Sequence, residues 1–214
     1  MNIPVVLASA SPRRRELLSL LIGGFTVQAS GVDETPYLKD ATAGSVEQAA
    51  LAKGRDVADR CVSGTVVIAA DTVISFEGRL LGKPSGPGEA AGMLRELRGD
   101  EHSVITGAAI LFQGKVELFH EKTLVRMRHY SNREIEEYVA TGEPLDKAGA
   151  YAIQGIGGSM VESIRGCYPN VIGFPLCAVA RQLGELGIVT RPVPEVCPAR
   201  IAGLEWNAGL QTGS

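Results

Sequence analysis

The chain has 214 residues, 45% hydrophobic and 21% charged, with a formal net charge of −3. This is the composition of a soluble globular domain with a core of its own. The negative balance argues against a general nucleic-acid binder, which shows a broad basic surface, and aromatics at 5% argue against a base-stacking platform for single strands.

Ile3 to Leu7 is an apolar run that reads as a buried strand. Ser11 then offers an N-cap oxygen, and Pro12 stands where a helix tolerates proline, at its first position. Arg13, Arg14 and Arg15 fill the first helical turn. A helix N-terminus prefers Asp or Glu there, so these cations oppose the dipole and call for a compensating anion. Backbone N–H groups, serine hydroxyls and guanidinium forks together make a phosphate site; an exposed basic turn is the alternative.

Phe25 to Ala29 is a short strand candidate, and residues 35–42 read as a polar loop. Ser45 is placed to cap a helix through about Arg60, with Val46, Ala49, Ala50, Val57 and Ala58 on helical spacing. Gly54 weakens that helix by about 1 kcal/mol relative to alanine. Thr65 to Phe76 is a continuous apolar run, the pattern of a central strand buried on both faces. Glu77-Gly78 turns the chain into Arg79 to Leu81. Glu89 to Leu97 is an amphipathic helix closed by Gly99, and Gln113-Gly114 joins two strands, His102 to Phe112 and Lys115 to Met127, as a hairpin. Ser131 and Glu134 form a capping box for a helix through Ala140; Pro175 to Leu186 is the last helix. The alternation of strand and helix signals is that of an α/β fold. Beyond Val189 the pattern fails, and Pro192, Pro194 and Pro198 suggest a poorly ordered tail. The expected division is therefore a domain over 1–189 and a tail over 190–214.

Cys61, Cys167, Cys177 and Cys197 form no C-x-x-C pair and only three histidines accompany them, so reduced thiols fit better than a zinc knuckle. No leader precedes the first strand and no apolar stretch could span a bilayer; the chain reads as cytoplasmic, with no membrane partner.

Asp71 interrupts the most hydrophobic strand. A lone buried carboxylate is costly unless paired, hydrogen-bonded or metal-bound, which makes Asp71 a candidate general base or metal ligand. Glu34, in Val32-Asp33-Glu34, suits a hard cation such as Mg²⁺. Lys53 lies on a predicted helix. Lys83, between Gly82 and Pro84, is held extended by the proline and could reach a phosphate or leaving group. Gln154, in the glycine-rich stretch Asp146 to Gly158, carries the donors and acceptor that suit a nucleobase edge. Neither a Walker P-loop nor a Gly-x-Ser-x-Gly elbow is present.

Taken in order, Leu7-Ala8-Ser9-Ala10-Ser11-Pro12-Arg13-Arg14, Val32-Asp33-Glu34, Ala70-Asp71-Thr72-Val73, Gly82-Lys83-Pro84, Thr106-Gly107, the run from Gly142 to Tyr151, Ile153-Gln154-Gly155 and Asn170 to Leu176 resemble the Maf family. Those proteins are nucleoside triphosphate pyrophosphatases, also described as septum-formation inhibitors. The resemblance covers about residues 3–188. It implies a mixed twisted sheet with flanking helices, two lobes around a deep cleft as in the inosine triphosphatase-like fold, and an often dimeric chain. It also implies hydrolysis of a nucleoside triphosphate to the monophosphate and pyrophosphate with Mg²⁺ or Mn²⁺. By the same resemblance Asp71 would activate water, and Ser9, Arg13, Arg14, Lys53 and Lys83 would hold the phosphates. Glu34 would bind metal with Asp71 or orient the water. The combination Arg13, Thr72 and Gln154 looks like the branch acting on dTTP and UTP; the alternatives are the 7-methyl-GTP branch or a non-enzymatic, nucleotide-binding regulator of cell division. The family usually has alanine where Gly54 stands, and the tail after Val189 has no counterpart in it.

Overall fold

A computed structural model of the protein describes residues 3–38, 40 and 42–193. Its centre is a mixed seven-stranded sheet. The strands are β1 (Val5–Ala8), β2 (Thr26–Val27), β3 (Val66–Phe76), β4 (Arg79–Leu81), β5 (Glu101–Phe112), β6 (Lys115–Met127) and β7 (Val161–Arg165). They lie in the order β2-β1-β3-β5-β6-β7, with β4 on the edge of β3. β1 runs parallel to β2 and β3; the other pairings are antiparallel. The helices are α1 (Pro12–Leu21), α2 (Ala43–Ala58), α3 (Pro87–Leu97), α4 (Asn132–Ala140), α5 (Tyr168–Ile172) and α6 (Leu176–Glu185).

The period-2 alternation of β1, β3 and β5 sorts their apolar side chains onto two faces. Val6, Ala8, Val67, Ala69 and Ala109 pack under Ala50, Leu51 and Val57 of α2. Leu7, Ile68, Ala70, Ala108 and Ile110 pack on the opposite face with Leu18 and Leu21 of α1 and Val179 and Leu183 of α6. Farther along the sheet, Ile74, Val104, Val125 and Met127 form a separate core with Leu94 of α3 and Ile135 of α4. These are the two lobes, and the expected mixed α/β class holds.

One feature of β3 opens the sheet where the chemistry lies. β1 pairs with residues 66–69 of β3 and β4 with residues 74–76, so the same edge of β3 is uncovered between them. Asp71 and Thr72 fall in that gap.

Several boundaries differ from the sequence expectation. α2 starts earlier: Thr42 is its cap, and its Oγ1 accepts from the backbone N–H of Ser45 at 3.2 Å. β2 is two residues long, because only Thr26 and Val27 find partners on β1. α3 begins at Pro87, two residues before Glu89. β7, α5 and the 3₁₀ turns between Glu143 and Met160 carry no periodicity in sequence, being short and held by tertiary contacts. The capping box of α4 is present as read. Of the expected tail, residues 190–193 are described: the Arg191 N–H donates to the Leu21 carbonyl at 2.8 Å, and Val193 packs on the core. Residues 194–214 lie outside the described residues.

Glycines set how closely α2 lies on the sheet. A methyl group on Gly54 would come within 2.5 Å of Leu111 Cδ1, so this glycine permits a close approach besides lowering helix propensity. Gly107 of β5 is the stricter case, because a methyl there would sit inside the backbone of Val46 and Glu47. Backbone cannot step aside as a side chain can. Gly107→Ala should therefore destabilise the fold by about 1–3 kcal/mol, as overpacking does, read as a lowered urea midpoint with an unchanged m-value.

Candidate active site

Strand β3 places Asp71 and Thr72 on opposite faces of the sheet. Asp71 faces α2, where Lys53 donates to its Oδ1 at 2.6 Å. The same ammonium lies 2.5 Å from Oε1 of Glu34, in the loop after β2. Two carboxylates thus share one cation. The Lys53 and Asp71 side chains are each 10% exposed, and that of Glu34 is 41% exposed. Desolvation pushes the Glu34 carboxyl up, but the hydrogen bond and charge of Lys53, with help from Arg14, outweigh it and hold the group below the ordinary glutamate value. The second oxygen of Asp71, Oδ2, is buried with no hydrogen-bond partner among the described residues. An orphaned buried carboxylate oxygen calls for a ligand, a water or a cation.

Thr72 points the other way, to Arg14. The local fold there follows the sequence reading: Ser11 caps α1, accepting from the Arg14 N–H at 3.4 Å, and Pro12 opens the helix. The Arg14 side chain is fastened at three points. Nε donates to the Gly173 carbonyl at 2.9 Å, Nη2 to Thr72 Oγ1 at 3.0 Å and Nη1 to Ser9 Oγ at 3.4 Å. Burial lowers the guanidinium below its usual value, while Asp71 and Glu34 work in the opposite direction. Among the described residues no carboxylate forms a salt bridge with Arg13, Arg14 or Arg15. Their charge remains available to an external anion.

These groups line one cleft of about 740 Å³. Its cations are Arg13, Arg14, Lys53, Lys83 and Lys147; its carboxylates are Glu34, Asp71 and Asp146. Five against three leaves a net charge of +2 in a protein whose total is −3. Apolar walls, including Leu38, Val104, Tyr151 and Ile153, complete it. A polyanion with a planar, less polar end matches that division. A second cavity, about 950 Å³, lies beside β1 and β2 near Leu21 and Phe25; Arg191 is the sole ionisable group among its described lining residues, so it lacks the charge for a polyphosphate.

Seven of the residues singled out in sequence meet in the cleft: Arg13, Arg14, Glu34, Lys53, Asp71, Thr72 and Lys83. Two do not. Ser9 is buried and outside the lining; its Oγ accepts from Arg14 Nη1 at 3.4 Å and from the Ser11 N–H at 3.2 Å. Gln154 is exposed and outside the lining, although its neighbour Ile153 lines the cleft. Sequence reasoning left out Lys147, Asp146 and Tyr151. Their signal was the density of the stretch in which they stand; the residues within it could not be ranked without knowing which way each turn faces. Glu143 anchors that stretch, accepting from the N–H groups of Ile156 and Gly157 at 3.2 and 3.1 Å.

A family model described as Maf-like protein matches residues 4–186. The chain belongs to this family. This Maf-like protein is 46% identical over 188 residues to a dTTP/UTP pyrophosphatase of Halalkalibacterium halodurans, covering 88% of this chain and 98% of that one. It is 50% identical over 186 residues to a dTTP/UTP pyrophosphatase of Moorella thermoacetica, covering 86% and 95%. Among solved structures, a HAM1 protein from Coxiella burnetii is similar at a TM-score of 0.45 and 16% identity, over 86% of this chain and all of that one. No helix among the described residues is long and apolar enough to cross a membrane.

In this Maf-like protein the metal-ligating possibilities are limited. No group of three or more His, Cys, Asp and Glu side chains among the described residues could hold an ion. Of the cleft's three carboxylates, Glu34 and Asp71 meet at Lys53, and Asp71 carries the orphaned Oδ2. An all-oxygen, incomplete set is of the kind a hard divalent cation takes when waters and substrate oxygens complete its shell.

Removing the shared cation tests the electrostatic design. Lys53→Met leaves Asp71 buried without its counter-charge, and such broken pairs cost about 3–5 kcal/mol. The loss should be read in urea unfolding at pH 8.

Tyr151 gives a second test. Its hydroxyl meets Nε2 of buried His102 at 2.8 Å. Burial lowers His102 to about 4, so the folded state keeps the ring neutral while the unfolded chain protonates it near the ordinary value of 6.5. Stability from this residue is complete above about pH 6.5, falls as pH drops toward 4 and then levels. Unfolding midpoints measured across that window should slope less in His102→Gln than in the parent.

Proposed function

We propose that this protein hydrolyses dTTP and UTP to the monophosphate and pyrophosphate. The observation that carries the reading is the free, buried Oδ2 of Asp71 in a cleft whose net charge is positive. The names of the curated relatives, which align over nearly their whole length, support the pyrimidine choice.

The triphosphate lies along Arg13, Arg14, Lys83 and Lys147, and the base toward the apolar walls. Lys53 holds Oδ1 of Asp71, which fixes the carboxylate and leaves Oδ2 to take a proton from water. The water oxygen bonds to the α-phosphorus as the bond from that phosphorus to the bridging oxygen breaks, and the pyrophosphate leaves with the electron pair. Negative charge builds on the bridging and equatorial oxygens, where preorganised cations are most effective because they need not reorganise. Glu34 and Asp71 would hold a divalent cation; bound there, it supplies Lewis-acid stabilisation of that charge. Lys83 makes no hydrogen bond or ion pair with the described residues, which suits it to meet the leaving group. Gln154, from its exposed loop, would have to move to reach a base; without that movement the selectivity rests on Arg13, Thr72 and the apolar walls.

Asp71→Asn should bind nucleotide yet lose about 10²–10⁴-fold in turnover, the range for a removed general base. Pyrophosphate release from dTTP, UTP and 7-methyl-GTP, with Mg²⁺ or Mn²⁺ and with chelator, is the measurement. Full activity in Asp71→Asn, or no release from any nucleotide by the parent, would overturn the reading.

A further inference from the structure

The hydroxyl of Thr106 is fully buried and does not reach the cleft, yet it ends a chain of hydrogen bonds that begins there. Thr106 stands opposite Thr72 across β3 and β5. Its Oγ1 lies 3.3 Å from the Asn170 carbonyl and 2.9 Å from Oγ1 of Thr72. A hydroxyl has one hydrogen to give. Thr72 Oγ1 likewise lies 3.4 Å from the Gly173 carbonyl, so one of the two hydroxyls donates across the 2.9 Å contact and the other to a backbone carbonyl. In either arrangement Thr72 accepts from Nη2 of Arg14 at 3.0 Å. Hydrogen bonds therefore link the guanidinium through Thr72 and Thr106 to backbone carbonyls.

The terminus of this chain is rigid. Asn170 is itself fully buried, and its Nδ2 donates to the Val104 carbonyl and to Thr123 Oγ1 at 3.1 and 2.9 Å. Gly173, whose carbonyl receives Arg14 Nε, has φ of +107° and would bring a methyl group to 3.4 Å from Thr72 Oγ1. A guanidinium has five N–H groups, and three are committed to Gly173, Thr72 and Ser9. One hydrogen remains on each Nη, a fork suited to two oxygens of one phosphate.

We propose that Thr106 is a positioning residue that acts through Thr72 to hold the Arg14 fork in its phosphate-binding orientation, an inference that rests on the cleft's taking a triphosphate. Without Thr106 the Thr72 hydroxyl loses its shortest contact, at 2.9 Å, and keeps only the longer one to Gly173, at 3.4 Å, so the guanidinium loses its fixed register.

Inorganic tripolyphosphate binding, measured by titration calorimetry, reads this without turnover. Thr106→Val should bind about tenfold more weakly, the scale of one lost hydrogen bond, with Tm close to the parent. Thr106→Ser should restore binding. In an Arg14→Ala background the Thr106→Val effect should vanish, since coupled sites are non-additive. Equal binding by the parent and Thr106→Val, or an undiminished loss in the Arg14→Ala background, overturns the proposal. Where valine lowers Tm, Thr106→Cys carries the same comparison; unfolding of both overturns it too, because Thr106 would then serve the fold alone. A parent chain that binds no tripolyphosphate sinks the phosphate reading itself. Binding without release of pyrophosphate from any nucleotide sinks the activity and leaves the Thr106 comparison intact.

Discussion

A single ammonium shared by two carboxylates holds the centre of this protein. Lys53 meets Asp71 and Glu34 at 2.6 and 2.5 Å, and the first of these pairs is buried. Burying an ion pair is an expensive way to stabilise a fold: an apolar pair of similar volume commonly does as well or better. The arrangement makes sense as preparation for chemistry. Lys53 gives Asp71 a counter-charge and fixes it by one oxygen, and the other oxygen is left unsatisfied. The cost is carried by the packing of α2, which brings Lys53 to the sheet only because Gly107 and Gly54 offer no side chains in its path.

The same strand solves a second problem. A carboxylate proposed as the base and an arginine proposed to bind phosphate attract each other and would close into an ion pair if they shared a face. Asp71 and Thr72 are adjacent in β3, so the pleat sends one toward Lys53 and the other toward Arg14. Each charge is held by its own partners: an ammonium on one side, hydroxyls and a carbonyl on the other. Arg14 is thereby fixed without being neutralised. The cleft keeps its net positive charge, and a low-dielectric concavity of one sign concentrates an oppositely charged ligand.

Access to both faces at once depends on the edge of β3. A strand covered along its whole length would hide Asp71 and Thr72. Here β1 ends at residue 69 of β3, and β4 begins at residue 74. The sheet is interrupted for a few residues, and the two lobes pack on either side of that interruption.

Much of this was legible in the chain. The alternation of apolar segments marked the α/β class; Pro12 after Ser11 marked the start of α1; the Ser131–Glu134 box marked α4. Asp71 drew notice because a carboxylate inside an apolar run has few benign explanations, and Arg13 and Arg14 because they oppose a helix dipole. Those signals are local, and local physics sufficed. The sequence could not say that Ser9 meets the Arg14 side chain, that Gln154 stands outside the cleft or that Lys147 and Tyr151 stand inside it. Nor could it connect Thr106 to Arg14, 92 positions away in the chain. A side chain's partner across a sheet depends on register, and its facing in an irregular turn depends on the one packing that satisfies every neighbour. Neither leaves a period in the sequence, so tertiary structure alone decided them.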